Sequence, residues 1–72
     1  MPIIRVEMLP GRSEKQKRNL VKSLTDGFVQ TCGGNSDGLH VIITEVDAGD
    51  WSSGGTLISD IIETQPSNDK MP

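Results

Sequence analysis

In its 72 residues the chain has one cysteine, Cys32, and one histidine, His40. A single cysteine excludes an intrachain disulfide. Neither residue has a partner at metal-ligand spacing, so no metal is expected. No apolar run has the length or flanks of a membrane span or a signal peptide. The net charge is −3, and no basic cluster is larger than Lys15 to Arg18. That leaves no concentrated positive face for phosphates, and nucleic acid is not an expected partner. A lone thiol without an export signal suits the cytoplasm. Domains this short bury a small fraction of their surface and draw stability from disulfides, metals or self-association. With the first two set aside, the sequence points to an oligomer before any motif is read.

Residues 2–9 alternate Arg5 and Glu7 with Ile4, Val6 and Met8, the pattern of a strand with one apolar face. Pro10-Gly11 ends it with a turn signal. Ser13 and Gln16 are spaced as a capping box and open a helix. Its apolar stripe is Leu20, Val21, Leu24, Phe28, Val29 and Cys32. Gly33-Gly34 stops it, with Gly33 a candidate left-handed cap. Gly27 weakens the helix, and close packing is the only sequence-level reason for it. Residues 39–46 form the most apolar strand, expected at the centre of a sheet. Asp47 to Asp50 is a polar turn, and Ser52 to Gly55 is a tight hairpin or loop. Residues 57–62 are apolar but carry no periodicity that decides their state, and residues 64–72 read as a frayed tail. The expected organisation is one domain over residues 2–62 and a flexible tail over 63–72. The fold class is α+β, a β-α-β unit with a right-handed crossover and a C-terminal hairpin. Two strands and one helix leave a sheet edge and a sheet face for a second subunit.

Pro2 carries the most chemical information. Methionine before proline is normally trimmed, which leaves a secondary amine at the start of a strand. A proline nitrogen inside a chain is an amide without basicity, whereas at a free terminus it can take and return a proton. An apolar pocket or a neighbouring cation lowers the pKa of such an amine toward the range useful to a general base. Equally, Pro2 is tolerated simply as the first residue of a strand. Arg12, between the turn and the helix cap, is either a fork for a carboxylate or a solvated loop residue. Trp51 either walls an apolar pocket or anchors an oligomer interface. His40 reads as a half-buried strand residue, structural or hydrogen-bonded to a ligand oxygen. Cys32 falls on the helix stripe and reads as a buried small residue. Ser52 and Ser53 have no base partner, and Gly54-Gly55 matches no phosphate-cradling pattern.

Taken together, PII at 2–4, LPGRS at 9–13, EKQKRNLVKSLT at 14–25, VIITEV at 41–46 and WSSGG at 51–55 resemble the 4-oxalocrotonate tautomerase family, from Pro2 to about Asp60. The resemblance implies subunits paired into a four-stranded sheet and, in short members, a homohexamer. It implies that Pro2 shuttles a proton between two carbons of an unsaturated 2-keto acid or its enol. Arg12 matches the arginine that binds a substrate carboxylate. Trp51 matches the aromatic pocket residue, which is usually phenylalanine. His40 departs from the pattern, because well-known members carry there a second arginine that binds the 2-keto oxygen and the nearer carboxylate. Histidine is shorter and is not a permanent cation, so weaker handling of the usual dicarboxylate is expected. No metal or organic cofactor is implied. Two other functions fit the same scaffold. One is hydration, dehalogenation or decarboxylation, for which Glu45 and Asp50 are the only candidate water-activating groups. The other is a non-catalytic subunit of a hetero-oligomer, in which Met1 is retained and Pro2 stays an amide.

Overall fold

In the computed structural model, which describes residues 1–64, strand β1 spans Ile3–Met8, helix α1 Glu14–Cys32 and strand β2 His40–Glu45. A short hairpin of β3 (Ser52–Ser53) and β4 (Thr56–Leu57) leads into helix α2, Ile58–Thr64. This is the expected β-α-β unit with a C-terminal hairpin. β1 and β2 form a two-stranded sheet. The His40 N–H donates to the Pro2 carbonyl at 3.1 Å, and the Val46 N–H donates to the Met8 carbonyl at 2.8 Å. Both numbers rise together, so the strands are parallel, as a helical crossover requires.

The chain divides into two compact units, one of Met1–Val6 with Gly11–Thr44 and one of Glu7–Pro10 with the segment from Glu45 onward. In the first unit, α1 begins as the sequence predicts. The Gln16 N–H donates to Ser13 Oγ at 3.1 Å, and the Ser13 N–H donates to Gln16 Oε1 at 2.8 Å. Such a cap contributes about 0.5–2 kcal/mol. Two exposed i,i+4 ion pairs, Arg18–Glu14 at 2.8 Å and Lys22–Asp26 at 2.9 Å, add a few tenths of a kcal/mol each. The helix stops at Gly33, whose N–H reaches the Val29 carbonyl at 2.9 Å. Its φ of 81° and ψ of −171° lie outside the left-handed helical region, so the stop needs a glycine but is not the left-handed cap expected.

Further expectations are corrected in the same unit. Gly27 is exposed, and nothing lies within 4 Å of a side chain built on it, so close packing within the chain does not explain it. Cys32 and His40 are exposed rather than buried or half-buried. Cys32 closes the last turn of α1. His40 falls on the outward side of a strand whose exposure alternates residue by residue. β2 is an edge strand rather than a central one, because its sheet has only two strands. One face of that sheet is left uncovered, with Ile3 53% and Ile42 38% exposed.

The second unit holds the hairpin. Ser52 pairs with Leu57 and Ser53 with Thr56 in antiparallel register. The two connecting residues, Gly54 and Gly55, have φ of 61° and 87°. Positive φ at both central positions is the condition of a type I′ turn, and glycine meets it without strain. The Ile58 N–H donates to the Trp51 carbonyl at 2.7 Å and ties the start of α2 to the hairpin. Residues 57–62, undecided from sequence, thus end β4 and supply most of α2. The expected tail boundary at residue 63 falls inside α2, and the rest of the tail lies outside the described residues. Leu9, Leu39 and Ile58 are the buried hydrophobic side chains among the described residues, a small core for a chain of this length.

Candidate active site

Pro2 stands immediately before β1 and is exposed. Its carbonyl is held by the His40 N–H at 3.1 Å, which fixes the residue against the start of β2. In a parallel β-α-β unit the crossover helix returns the chain to the level at which the first strand began. The end of α1 and the loop before β2 therefore gather around Pro2. Together they border a half-open cavity of about 350 Å³ within the first unit.

The walls of this cavity come from three sources. Phe28 and Val29 of α1, with Leu39 before β2, supply apolar surface, and Cys32 adds its thiol. Gly33, Gly34 and Gly38 leave backbone where a side chain would otherwise stand. Asn35 is the one amide side chain of the wall, and its Oδ1 already accepts from the Asp37 N–H at 3.0 Å. Met1 also lines the cavity, although it is 86% exposed. No arginine, lysine, histidine or carboxylate is among the described residues that line it.

Arg12 follows Gly11, whose φ is 127°, and precedes the cap Ser13. It is exposed and is not a lining residue of the Pro2 cavity. Among the described residues it makes no ion pair. His40 meets Pro2 through its backbone, and its side chain is likewise absent from the cavity wall. Trp51 lies in the second unit, half-buried, and lines a hollow of about 230 Å³ with Val46, Ser52, Glu7 and Asp50. Two of these lining residues, Glu7 and Asp50, are acidic and exposed.

Of the four residues singled out from sequence, the structure joins Pro2 and His40 through one backbone hydrogen bond. It leaves Arg12 exposed on its own loop and places Trp51 in an acidic hollow. Sequence reasoning missed Phe28, Val29, Leu39 and Asn35 as neighbours of Pro2. The signal was present, because Phe28, Val29 and Cys32 end the helical stripe at the level where a parallel unit must return. Glu45, a candidate for activating water, is exposed at the end of β2. Among the described residues no cluster of three or more His, Cys, Asp or Glu is placed to hold a metal ion, and no helix is long and apolar enough to cross a membrane.

Residues 2–61 match the family model described as "Tautomerase enzyme". A "probable tautomerase" of Lactiplantibacillus plantarum is 40% identical over 60 residues, which cover 83% of this chain and 94% of that protein. A 4-oxalocrotonate tautomerase isozyme of Methylibium petroleiphilum superposes with a TM-score of 0.86 at 30% identity, over 89% of this chain and all of that one, 100%. The crystal structure of YwhB, a homologue of 4-oxalocrotonate tautomerase, gives a TM-score of 0.79 at 36% identity, over 82% of this chain and 97% of that one.

Proposed function

The chain belongs to the tautomerase family, and we propose that it is a 4-oxalocrotonate tautomerase-like isomerase whose proton shuttle is the Pro2 amine, freed by removal of Met1. The observation that carries this reading is the cavity at Pro2. Pro2, whose nitrogen becomes a secondary amine once Met1 is removed, lines the same hollow as Phe28, Val29 and Leu39, and no charged side chain lines it. Such surroundings disfavour the ammonium form and lower the pKa of the trimmed amine below that of free proline. The neutral nitrogen takes the acidic proton beside the carbonyl of an unsaturated 2-keto acid. The electron pair moves into a dienolate, and the nitrogen, now charged, returns the proton farther along the chain. The proton balance closes on one group, and no cofactor is called for.

In this reading Arg12 binds a substrate carboxylate, Trp51 is an aromatic wall of the substrate pocket, and His40 stands where the family pattern has its second arginine. The assembly is a homo-oligomer, a hexamer on the family pattern. Support comes from the small core, the exposed Ile3 and Ile42, and the two-stranded sheet with unpaired edges. The lone thiol suits the cytoplasm, which cell fractionation checks.

The decisive experiment starts from protein whose trimmed N-terminus is verified by intact mass. It is assayed with a 2-keto acid enol beside a version extended by one residue before Pro2. The extension turns the nitrogen into an amide and should lower kcat by at least about 100-fold, in line with the loss of a general base. Folding should be unchanged, because Pro2 keeps its carbonyl bond to His40. In the trimmed protein the rate should fall as pH drops through the amine's pKa, since protonation removes the base. Full activity in the extended protein would falsify the mechanism. Light scattering of the trimmed protein should show a species larger than a monomer, and a stable folded monomer at micromolar concentration would overturn the assembly.

A further inference from the structure

We propose that a second copy of the chain docks along the free edge of β1, in an antiparallel register chosen by Arg5 of each copy facing Glu7 of the other. The inference rests on the homo-oligomer proposed above. It adds which edge pairs, in which register, and which residues select it.

The free edge follows from the backbone. β1 pairs with β2 and, among the described residues, with no other strand. The carbonyls that accept from β2 and the residue after it belong to Pro2 and Met8, both even-numbered. Backbone groups alternate sides along a strand, so Ile3, Arg5 and Glu7 turn their N–H and C=O groups to the other edge. An edge of that kind is a template for another strand. Side chains sort by the same alternation: Ile3, Arg5 and Glu7 are exposed, whereas Ile4, Val6 and Met8 are half-buried.

A two-fold axis through Val6 puts Arg5 opposite Glu7 of the second copy, and Glu7 opposite its Arg5. On the covered face Ile4 then meets Met8, and Val6 meets itself. Sliding the partner by two residues sets Arg5 against Arg5 in one direction and Glu7 against Glu7 in the other. Opposite charges across a strand pair attract, and like charges directly opposite are destabilising. A slide by an odd number of residues sets the exposed row against the half-buried one. A slide of four unpairs half or more of the strand. The charge pattern is therefore self-complementary in one register. Both side chains are available for it, since neither has an ion pair among the described residues. The outer edge of β2 carries no such code, because the residues whose backbone faces it are Val41, Ile43 and Glu45. Glu7 also lines the hollow at Trp51, so docking brings the partner's Arg5 to a hollow with no cation among its own lining residues.

An exposed pair contributes little to stability by itself. Its effect is to choose the register, so a neutral Glu7→Gln is tolerated and a reversed charge is not. The test therefore reverses each charge, alone and together, in the trimmed protein. Arg5→Glu and Glu7→Arg each create two like-charge pairs across the axis. Each should raise the concentration of half-dissociation about tenfold at low ionic strength, read by light scattering over a dilution series. Added salt should shrink the difference. The double variant, Arg5→Glu with Glu7→Arg, should return to the value of the unaltered protein. An equimolar mixture of the two single variants should do the same, with mixed pairs in excess of self-pairs by native mass spectrometry. Single variants that assemble like the unaltered protein would overturn the inference. Weakened variants that neither mixing nor double reversal restores would overturn it too. An unaltered protein that is monomeric would instead overturn the homo-oligomer reading on which the inference rests. Co-expression of the two single variants keeps the test decisive if either fails to fold alone.

Discussion

Two hollows among the described residues differ in electrical character. The cavity at Pro2, in the first unit, is apolar and lined by no charged residue among those described. The hollow at Trp51, in the second unit, counts the acidic residues Glu7 and Asp50 among its lining. An acidic substrate therefore gains no positive charge from the lining of either one. Hydrophobic walls can hold the body of such a substrate, but its carboxylate needs a cation from elsewhere. Exposed Arg12 and Arg5, with no ion pair among the described residues, are the guanidinium groups of the first unit that are free to offer one, and Arg12 is the one at the position the family resemblance assigns to a carboxylate. The comparison separates two tasks that a motif reading merges, because the residue types that make a base useful are not the ones that bind the anion.

Removing that cation should break the comparison most severely. Arg12→Ala should raise KM for a 2-keto acid about 10- to 100-fold, the range of a lost charge-assisted hydrogen bond of about 1.5–3 kcal/mol. Stability should change by less than about 0.5 kcal/mol, since the side chain is exposed. Steady-state kinetics and a thermal melt check both halves. A large drop in Tm with normal KM would mean that Arg12 is a structural ion-pair residue and that the carboxylate is held by another group.

A smaller change would sharpen the contrast from the other side. His40→Arg adds a long cation to the strand start that holds Pro2. The backbone N–H that binds the Pro2 carbonyl is present in either residue, so the substitution leaves that anchor in place. A charge-assisted bond to a carboxylate contributes roughly 1–2 kcal/mol more than an uncharged one. Turnover of 2-hydroxymuconate should therefore rise about 5- to 30-fold in kcat/KM. No gain in that assay would show that His40 does not occupy the arginine's role.

Much of the fold was legible because it rests on local rules. The Ser13–Gln16 box, the Gly33 stop and the Gly54-Gly55 turn each act within a few residues, and the structure shows all three. The helix from Ile58 was not legible. Seven residues are too short for a periodic pattern, and its start depends on the Ile58 N–H bond to Trp51. Burial was misread at Cys32 and His40 for a common reason: apolar neighbours in sequence say nothing about how far the partner surface extends. Around Pro2, the residue itself could be found by its chemistry, whereas Phe28, Val29 and Leu39 could be found only by following the crossover back to its starting level. Asn35 carries no sequence signal of its own beyond the turn it caps. Arg12 and Trp51 gain their roles from the family resemblance, and the geometry adds the surroundings in which those roles must work.

The smallest effect probes the acidic hollow directly. If Trp51 is a wall of the pocket that holds an anionic substrate, Glu7 and Asp50 act against binding. Both side chains are exposed, so their repulsion is weakened by water and salt. At about 8 Å in water a unit charge contributes roughly 0.5 kcal/mol before screening, and physiological salt removes much of it. Glu7→Gln combined with Asp50→Asn should therefore lower KM for a 2-keto acid by only about two- to threefold at low ionic strength. The gain should fade as salt is added, while kcat stays the same, because the proposed mechanism moves the proton on Pro2 alone. Exposed polar substitutions of this kind should leave the melting temperature nearly unchanged. The salt dependence is the informative readout, since a change in shape would persist at high ionic strength and a change in field would not. An unchanged KM at every salt concentration would separate the Trp51 hollow from the substrate and leave the indole as an anchor for the neighbouring subunit.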